Sequence, residues 1–130
     1  MKVKLKKAMR NSSIAKWKIK KKREKFIFRK ELMLNLPYRI AYITARGIKS
    51  DFVTRVFAPA LQIDEDPVTG SAHCALVPFW STKLGKTELF ARQLSERGGS
   101  LWCRYLGDRV EMGGYAVTFL VGEIWWNKME

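Results

Sequence analysis

The sequence predicts an α+β domain in which an antiparallel or mixed sheet wraps around one central helix. Between residues 71 and 84, apolar side chains recur at steps of three and four, which is the spacing of a helix. Residues 38–45 and 51–58 alternate as strands do, and four β-rich segments separated by glycine turns follow the helix. One helix among several short strands is typical of a sheet that covers the helix.

The first 37 residues differ in composition from the rest of the 130-residue chain. Residues 1–46 hold 16 Lys and Arg against two Glu, a net charge of +14, whereas residues 47–130 hold nine against ten acids, a net charge of −1. Apolar side chains in the first part follow no single period. We therefore expect residues 1–37 to be a basic, poorly ordered tail and residues 38–130 to be the folded domain.

A cluster of lysines at residues 18–23 leaves the role of this tail open. It is either a solvated tail or a segment that binds nucleic acid or an anionic membrane surface, because basic side chains gain free energy by releasing counterions from phosphates. The second part of the chain, which is close to neutral, does not have the charge of a nucleic-acid surface.

Two strands are predicted before the helix. Residues 38–45 form the first, Arg46-Gly47 is a turn, and residues 51–58 form the second, which Pro59 ends. Arg55 lies on the second strand, and the sequence leaves two roles for it: an ion pair at the surface, or a cation that holds an anionic substrate.

The helix is expected to end at Gly85, a residue suited to the left-handed C-cap position. Gly107-Asp108 favours a tight hairpin between two of the later strands. Trp102, Trp125 and Trp126 are interpreted as core or interface residues. The four strands predicted after the helix are residues 88–94, 99–106, 109–112 and 115–126.

Polar and reactive side chains concentrate at the beginning of the helix, in residues 64–74. Pro67 disfavours the helical region for Asp66, so the acids belong to an extended loop and the helix begins after them. Gly70 lets the backbone approach a ligand, and the amides of the first turn, near Ser71, favour a carboxylate or phosphate. Asp66 and Ser71 can face one pocket, as a proton-transfer site needs. The alternative is that Thr69 or Ser71 is only an N-cap and the acids only complement the helix dipole.

His73 and Cys74 follow in the first turn of the helix. His73 is either a proton donor or a structural side chain packed on the helix. Cys74, near the positive end of the helix dipole, is a candidate for a thiolate, but no catalytic role is assigned to it. Ser95, Arg97 and Gly98, further along the chain, are candidates for lining the pocket.

Composition restricts the class of protein. With 47% hydrophobic residues, five Trp and seven Phe, the chain is expected to form one globular domain. It has no apolar run long enough to span a membrane and no secretory signal, so we expect a cytoplasmic protein in which Cys74 and Cys103 are reduced. One His and two widely spaced Cys predict no metal site.

The motif in residues 64–74, Asp-Glu-Asp-Pro-Val-Thr-Gly-Ser-Ala-His-Cys, resembles the PhzF-like family of phenazine biosynthesis-type proteins. The similarity extends from about Ile43 to Trp126 and includes Gln93 and Ser95. Members of this family have the diaminopimelate epimerase fold, in which two similar halves each wrap a sheet around a central helix and the active site lies between them. The chain resembles the second half of that fold.

The resemblance implies an isomerase that moves a proton and a double bond in a small carboxylic acid, in a biosynthetic pathway, without cofactor or metal. Asp66 and Ser71 match the catalytic or substrate-orienting positions of the family's second half. Gly70, Ala72 and His73 would add to the anion site at the helix start and bind substrate.

The glutamate that acts as general acid and base in the family's first half has no counterpart in the sequence. Neither Glu24 nor Glu31 stands in its motif. Three hypotheses follow: an isomerase homologue completed by a missing first half or by a second copy in a homodimer, a nucleic-acid or anionic-surface binder acting through the tail, and a non-functional fragment of a longer gene.

Overall fold

A computed structural model describes residues 4–9, 12–16 and 29–126. The first strands are β1 (Lys4–Met9), β2 (Ser12–Lys16), β3 (Ile40–Arg46), β4 (Phe52–Ala58) and β5 (Ile63–Asp66). The later strands are β6 (Glu88–Gln93), β7 (Gly99–Tyr105) and β8 (Val110–Gly113). The helices are α1 (Lys30–Leu34), a short 3-10 helix (Pro59–Leu61) and α2 (Gly70–Leu84).

The sheet is mixed, as the sequence predicts. Its strand order within the described residues is β1-β2-β3-β4-β6-β7-β8. The pairs β2–β3 and β4–β6 are parallel, and the remaining neighbours are antiparallel. The α+β class is therefore confirmed.

Strand β4 determines where the functional residues come together. Its first half pairs with β6, with Thr54 opposite Gln93, and its second half pairs with β5, with Val56 opposite Asp66. Strands β5 and β6 therefore lie along successive parts of one edge of β4. This register brings Asp66 and Gln93 close together although 27 residues separate them in the chain.

The apolar side of α2 packs against the sheet. The Trp80 ring stacks on Phe52 with centroids 5.7 Å apart and 7° between the planes, and its indole N–H donates to Thr44 Oγ1 at 2.9 Å. The Thr44 hydroxyl in turn donates to Val53 O at 2.8 Å, so the buried polar groups of Trp80 and Thr44 are both satisfied. The core joins Ala72, Leu76, Val77 and Trp80 of α2 to Tyr42, Phe52, Val56, Leu89, Ala91, Leu101 and Cys103 of the sheet.

Most predicted elements are confirmed. Helix α2 begins one residue before the predicted start and ends at Leu84, as predicted. Gly85 is its C-cap, with φ 66° and an N–H that donates to Ser81 O at 2.8 Å. Gly107 has φ 89°, and Leu106 N donates to Arg109 O at 2.9 Å, so the hairpin between β7 and β8 forms as expected.

Three predictions differ from the structure. The acids of residues 64–66 lie in β5 rather than in a loop, because β4 offers them a free edge. No strand forms over residues 115–126, and Trp125 and Trp126 are exposed instead of packed, since no neighbouring segment of the described chain pairs with them. Trp102 is also more exposed than a core residue, at 46%, and contacts Phe90 and Tyr115.

The predicted tail also has more structure than its composition indicates. Strands β1 and β2 extend the sheet beyond β3, and α1 lies within the same 37 residues. Poor order of the tail as a whole stays a prediction. The lysine cluster at 18–23 lies outside the described residues. A domain boundary near residue 37 stays a prediction.

Candidate functional site

Asp66, the last residue of β5, lies half-buried at the beginning of the loop that leads into α2. The hydroxyl of Thr69 donates to one of its carboxylate oxygens, Oδ2. The other oxygen, Oδ1, has no hydrogen bond to any described residue. The carboxylate is thus held by one oxygen and open at the other.

Gln93 holds the same loop from the neighbouring strand. Its side chain is fully buried; Oε1 accepts the Thr69 N–H at 2.9 Å, and Nε2 donates to Asp66 O at 2.6 Å and to Thr69 Oγ1 at 3.1 Å. Sequence analysis gave Gln93 no role. A signal in the sequence is that this carboxamide occupies a core-facing position of a strand. Such a group stays buried only when it is hydrogen-bonded, so the position indicates a polar partner nearby.

The start of α2 is open. Thr69 occupies the N-cap position, but its hydroxyl turns to Asp66, and no side chain caps the helix. The reading of Thr69 as only an N-cap is therefore wrong. Gly70 and Ser71 are exposed, and a Cβ built on Gly70 would have no atom within 4 Å. Amides of the first turn have no acceptor inside the helix and stand at the positive end of its dipole, so this opening favours an anion.

His73 lies beneath this opening rather than in it. Its ring is fully buried, Nδ1 lies 2.8 Å from Thr69 O, and Nε2 is buried without a hydrogen-bond partner in the described residues. Because the carbonyl can only accept, Nδ1 carries the proton of the neutral ring. Burial lowers the pKa of His73, and the hydrogen bond to Thr69 only partly opposes that effect. Of the two roles left open by the sequence, the structure favours the structural one.

Ala72, another predicted substrate-binding residue, is also fully buried. Only the backbone N–H groups of Ala72 and His73 can therefore contribute at the helix start. Asp66, Gly70 and Ser71 are the predicted site residues whose own groups border the opening.

The loop at residues 95–99 supports the site from the side. Ser95 Oγ donates to Pro67 O at 2.7 Å and accepts the Gly98 N–H at 3.0 Å. Arg97 borders a cavity of about 320 Å³ with Pro67 and a larger cavity of about 790 Å³ with Val68. Neither cavity is lined by Asp66, Gly70 or Ser71, so the expectation that this loop lines the pocket of the candidate site stays a prediction.

Arg55 forms an ion pair instead of facing a substrate. Its Nε and Nη2 lie 2.6 and 2.7 Å from the two oxygens of Glu65, in a bidentate arrangement. This pair attaches β5 to β4 one residue before Asp66.

Cys74 is exposed near the helix start and Cys103 is buried in β7, and both are free thiols. Burial, and to a lesser extent the proximity of Cys74, raises the pKa of the Cys103 thiol to about 11.

Among the residues that the structure describes, no three His, Cys, Asp or Glu gather in a group that could hold a metal ion. No helix in the described ranges is long and apolar enough to cross a membrane.

A carboxylate with one unbound oxygen lies next to an uncapped helix start. Comparisons with known proteins identify the family to which the chain belongs. The family model for phenazine biosynthesis-like proteins matches residues 3–122. The chain belongs to this PhzC/PhzF family.

Individual relatives agree with this assignment. An uncharacterized isomerase of Pseudomonas aeruginosa is 54% identical over 92 residues, which are 71% of this chain and 35% of the relative. Phenazine biosynthesis-like domain-containing protein 2 of Mus musculus is 49% identical over 75 residues, 57% of this chain and 26% of the relative. The chain spans about a third or less of the length of these curated relatives.

A solved structure has the same fold. The crystal structure of a phenazine biosynthesis protein of the PhzF family from Enterococcus faecalis superposes with a TM-score of 0.78 at 38% identity, over 85% of this chain and 43% of that one. The family model matches from residue 3 onward, whereas the sequence motifs indicate a similarity that begins at about Ile43. The motifs therefore cover only part of the matched range.

Proposed function

We propose that the chain supplies one half of a proton-transfer site for isomerisation of a small carboxylic acid in a biosynthetic pathway. The observation that carries the proposal is Asp66, whose Oδ2 is bound by Thr69 while Oδ1 stays open beside the uncapped start of α2. A carboxylate in this arrangement can take a proton from a substrate carbon or return it. Names of isomerases among the relatives support this reaction class.

The substrate carboxylate would bind at the helix start. Open space at Gly70 gives access to the first-turn amides, and the exposed hydroxyl of Ser71 can donate a hydrogen bond to the same group. A substrate held there by its carboxylate would have its neighbouring carbon atoms near the N-cap residue Thr69, whose hydroxyl binds Asp66. Ser71 would thus orient the substrate, and Asp66 would move the proton.

The second acid–base group is expected from a partner surface, either a first-half polypeptide or a second copy of the chain. Support for a partner comes from the segment 115–126, which follows β8 and exposes a run of large apolar side chains. Exposed apolar surface of this extent is typical of an interface. Its members are Tyr115, Val117, Phe119, Leu120, Val121, Ile124, Trp125 and Trp126.

The test is deuterium uptake from D₂O into small unsaturated or amino carboxylic acids, followed by proton NMR. We expect Asp66→Ala to lower the rate by about 10² to 10⁴, the usual contribution of a general acid or base. Asp64→Ala is the matched control, because Asp64 lies two residues away and is exposed in an ion pair with Lys30 at 2.7 Å. Equal rates for the two variants, or no uptake by the folded wild-type protein at any concentration, would contradict the proposal.

Sedimentation at several protein concentrations shows whether activity follows association. Uptake that rises with the dimer fraction would indicate that a second copy completes the site. An active monomer would exclude the need for a partner.

A further inference from the structure

We propose that Gln93 and Thr69 are positioning residues that aim the Asp66 carboxylate, so that one of its oxygens is fixed and the other faces the substrate. The catalytic consequence of this positioning rests on the proposed function. The hydrogen bonds that indicate the positioning do not depend on turnover. Neither residue is expected to touch the substrate or the reacting atoms.

The orientation of the Gln93 carboxamide is fixed by its surroundings. The Thr69 N–H needs an acceptor, and Oε1 lies 2.9 Å from it. The other end of the amide, Nε2, therefore lies between the backbone oxygen of Asp66 at 2.6 Å and the hydroxyl of Thr69 at 3.1 Å. A reversed amide would place an oxygen against the Asp66 carbonyl and an NH₂ group against an N–H, and both contacts are repulsive.

This orientation determines the direction of the next hydrogen bond. A hydroxyl has one proton, and the Thr69 hydroxyl already accepts a hydrogen bond from Gln93. Its own proton therefore points to Asp66 Oδ2, the atom to which it donates. Gln93 thus acts on the carboxylate through Thr69 and also binds the backbone of Asp66 directly.

The scaffold behind these contacts is rigid. Gln93 is fully buried, and its backbone lies in the parallel register of β4 and β6, opposite Thr54. Asp66 is opposite Val56, two residues further along the same strand. Because the two residues are held against the same edge of β4, the carboxamide has a fixed distance to span and few alternative conformations.

The test compares Thr69→Val and Gln93→Met with the conservative Thr69→Ser. Valine has the shape of threonine without the hydroxyl, and methionine replaces the carboxamide with an apolar chain of similar length. We expect both changes to lower kcat for deuterium uptake by about 10²-fold, the cost of a misplaced catalytic group, with little change in KM. Thr69→Ser keeps the hydroxyl and should retain the wild-type rate within a few-fold.

Two further measurements do not require turnover. In protein labelled with ¹³C at aspartate, the Asp66 Cγ resonance should move in Thr69→Val and in Gln93→Met, but not in Thr82→Val. Thr82 is the matched control, since its hydroxyl donates to Pro78 O at 3.0 Å on the exposed side of α2. In Gln93→Met the Thr69 amide should lose hydrogen-exchange protection by about tenfold, because its acceptor is gone.

The outcomes separate this proposal from the proposed function. Loss of kcat in Thr69→Val with recovery in Thr69→Ser supports positioning, whereas full activity in Thr69→Val overturns it. If the wild-type protein shows no uptake, the proposed function fails, and the Asp66 resonance alone decides the positioning: a shift in both variants supports it, and an unchanged resonance overturns it.

Discussion

Gly99 is a position in the sheet where the structure predicts a sharp response to one added methyl group. It begins β7 opposite Gln93, and a Cβ built on it would overlap Val68 Cγ2 and stand 3.3 and 3.4 Å from Cγ1 and Cβ of the same side chain. Carbon atoms pack best at about 3.5–4.0 Å, so Val68 would have to move away. Rotation about its first side-chain bond gives little relief, because a β-branched side chain keeps a methyl group or Cβ near the new atom.

We expect Gly99→Ala to lower the free energy of unfolding by about 1–3 kcal/mol, the usual cost of overpacking. The measurement is urea denaturation followed by tryptophan fluorescence, with the slope m unchanged. Gly113→Ala in β8 is the matched control, since its Cβ would lie 3.9 Å from the nearest atom, Trp102 O, which is an ordinary contact.

A double-mutant cycle tests the cause. Val68→Ala removes the methyl groups that collide with the new Cβ, so Val68→Ala/Gly99→Ala should be more stable than the sum of the single changes predicts, by about 0.5–3 kcal/mol. Additive effects, or a Gly99→Ala protein as stable as the wild type, would refute the reasoning. Because Val68 adjoins Thr69 and Pro67, Gly99→Ala should also disturb the loop that holds Asp66.

Two further predictions follow from buried titratable groups. His73, the chain's one histidine, has a pKa below its ordinary value of 6.5 because it is buried. As the pH falls, the unfolded chain therefore takes up a proton on this side chain at a higher pH than the folded chain does. Stability should therefore fall progressively as pH drops below about 6.5 toward the lowered folded pKa. The urea midpoint should decline from pH 7.5 to 5.5 more in the wild type than in His73→Asn, which keeps a donor for Thr69 O; parallel declines would contradict the burial of a neutral ring. Cys74 is exposed, whereas Cys103 is buried with its pKa raised to about 11. A thiol-reactive disulfide reagent at pH 8 should modify one cysteine in the folded protein and two in denaturant, and Cys74→Ser should abolish the first reaction. Rapid modification of both thiols in the folded wild type would be inconsistent with the packing of β7.

The sequence predicts those features that depend on nearby residues. The apolar spacing and Gly85 locate α2 within one residue, and Gly107-Asp108 predicts the β7–β8 hairpin, because helix caps and tight turns are decided over a few positions. The β-rich composition of residues 115–126 predicts a strand that does not form, since a strand needs a neighbour and composition contains no information about one.

The candidate site is predictable in part for the same reason. Pro67 and Gly70 indicate where the helix starts, and Asp66 and Ser71 follow from the motif. The direction of the Thr69 hydroxyl depends on Gln93, 24 residues away, so a local rule assigns it to the helix cap when it belongs to Asp66. Strands β1 and β2 show the converse: the basic composition around them indicates a tail, but β2 finds backbone partners on the edge of β3 and β1 finds them on β2.

The parallel pairing of β4 and β6 has a consequence for the order of folding. Strands β3 and β4, and likewise β6 and β7, are joined by short connections and can pair early, because closing a short loop costs little entropy. Joining the two hairpins brings Phe52 beside Ala91 across 39 positions of the chain, and α2 lies in the connection. We expect the joining of the two hairpins to be the slow step of folding. Pairing of distant segments has to overcome a larger loss of chain entropy before any contacts are gained. Gln93 reaches Thr69 and Asp66 only when the two hairpins meet, so the candidate site forms among the last parts of the molecule, and a nascent chain holds no organised Asp66 until β6 has been synthesised.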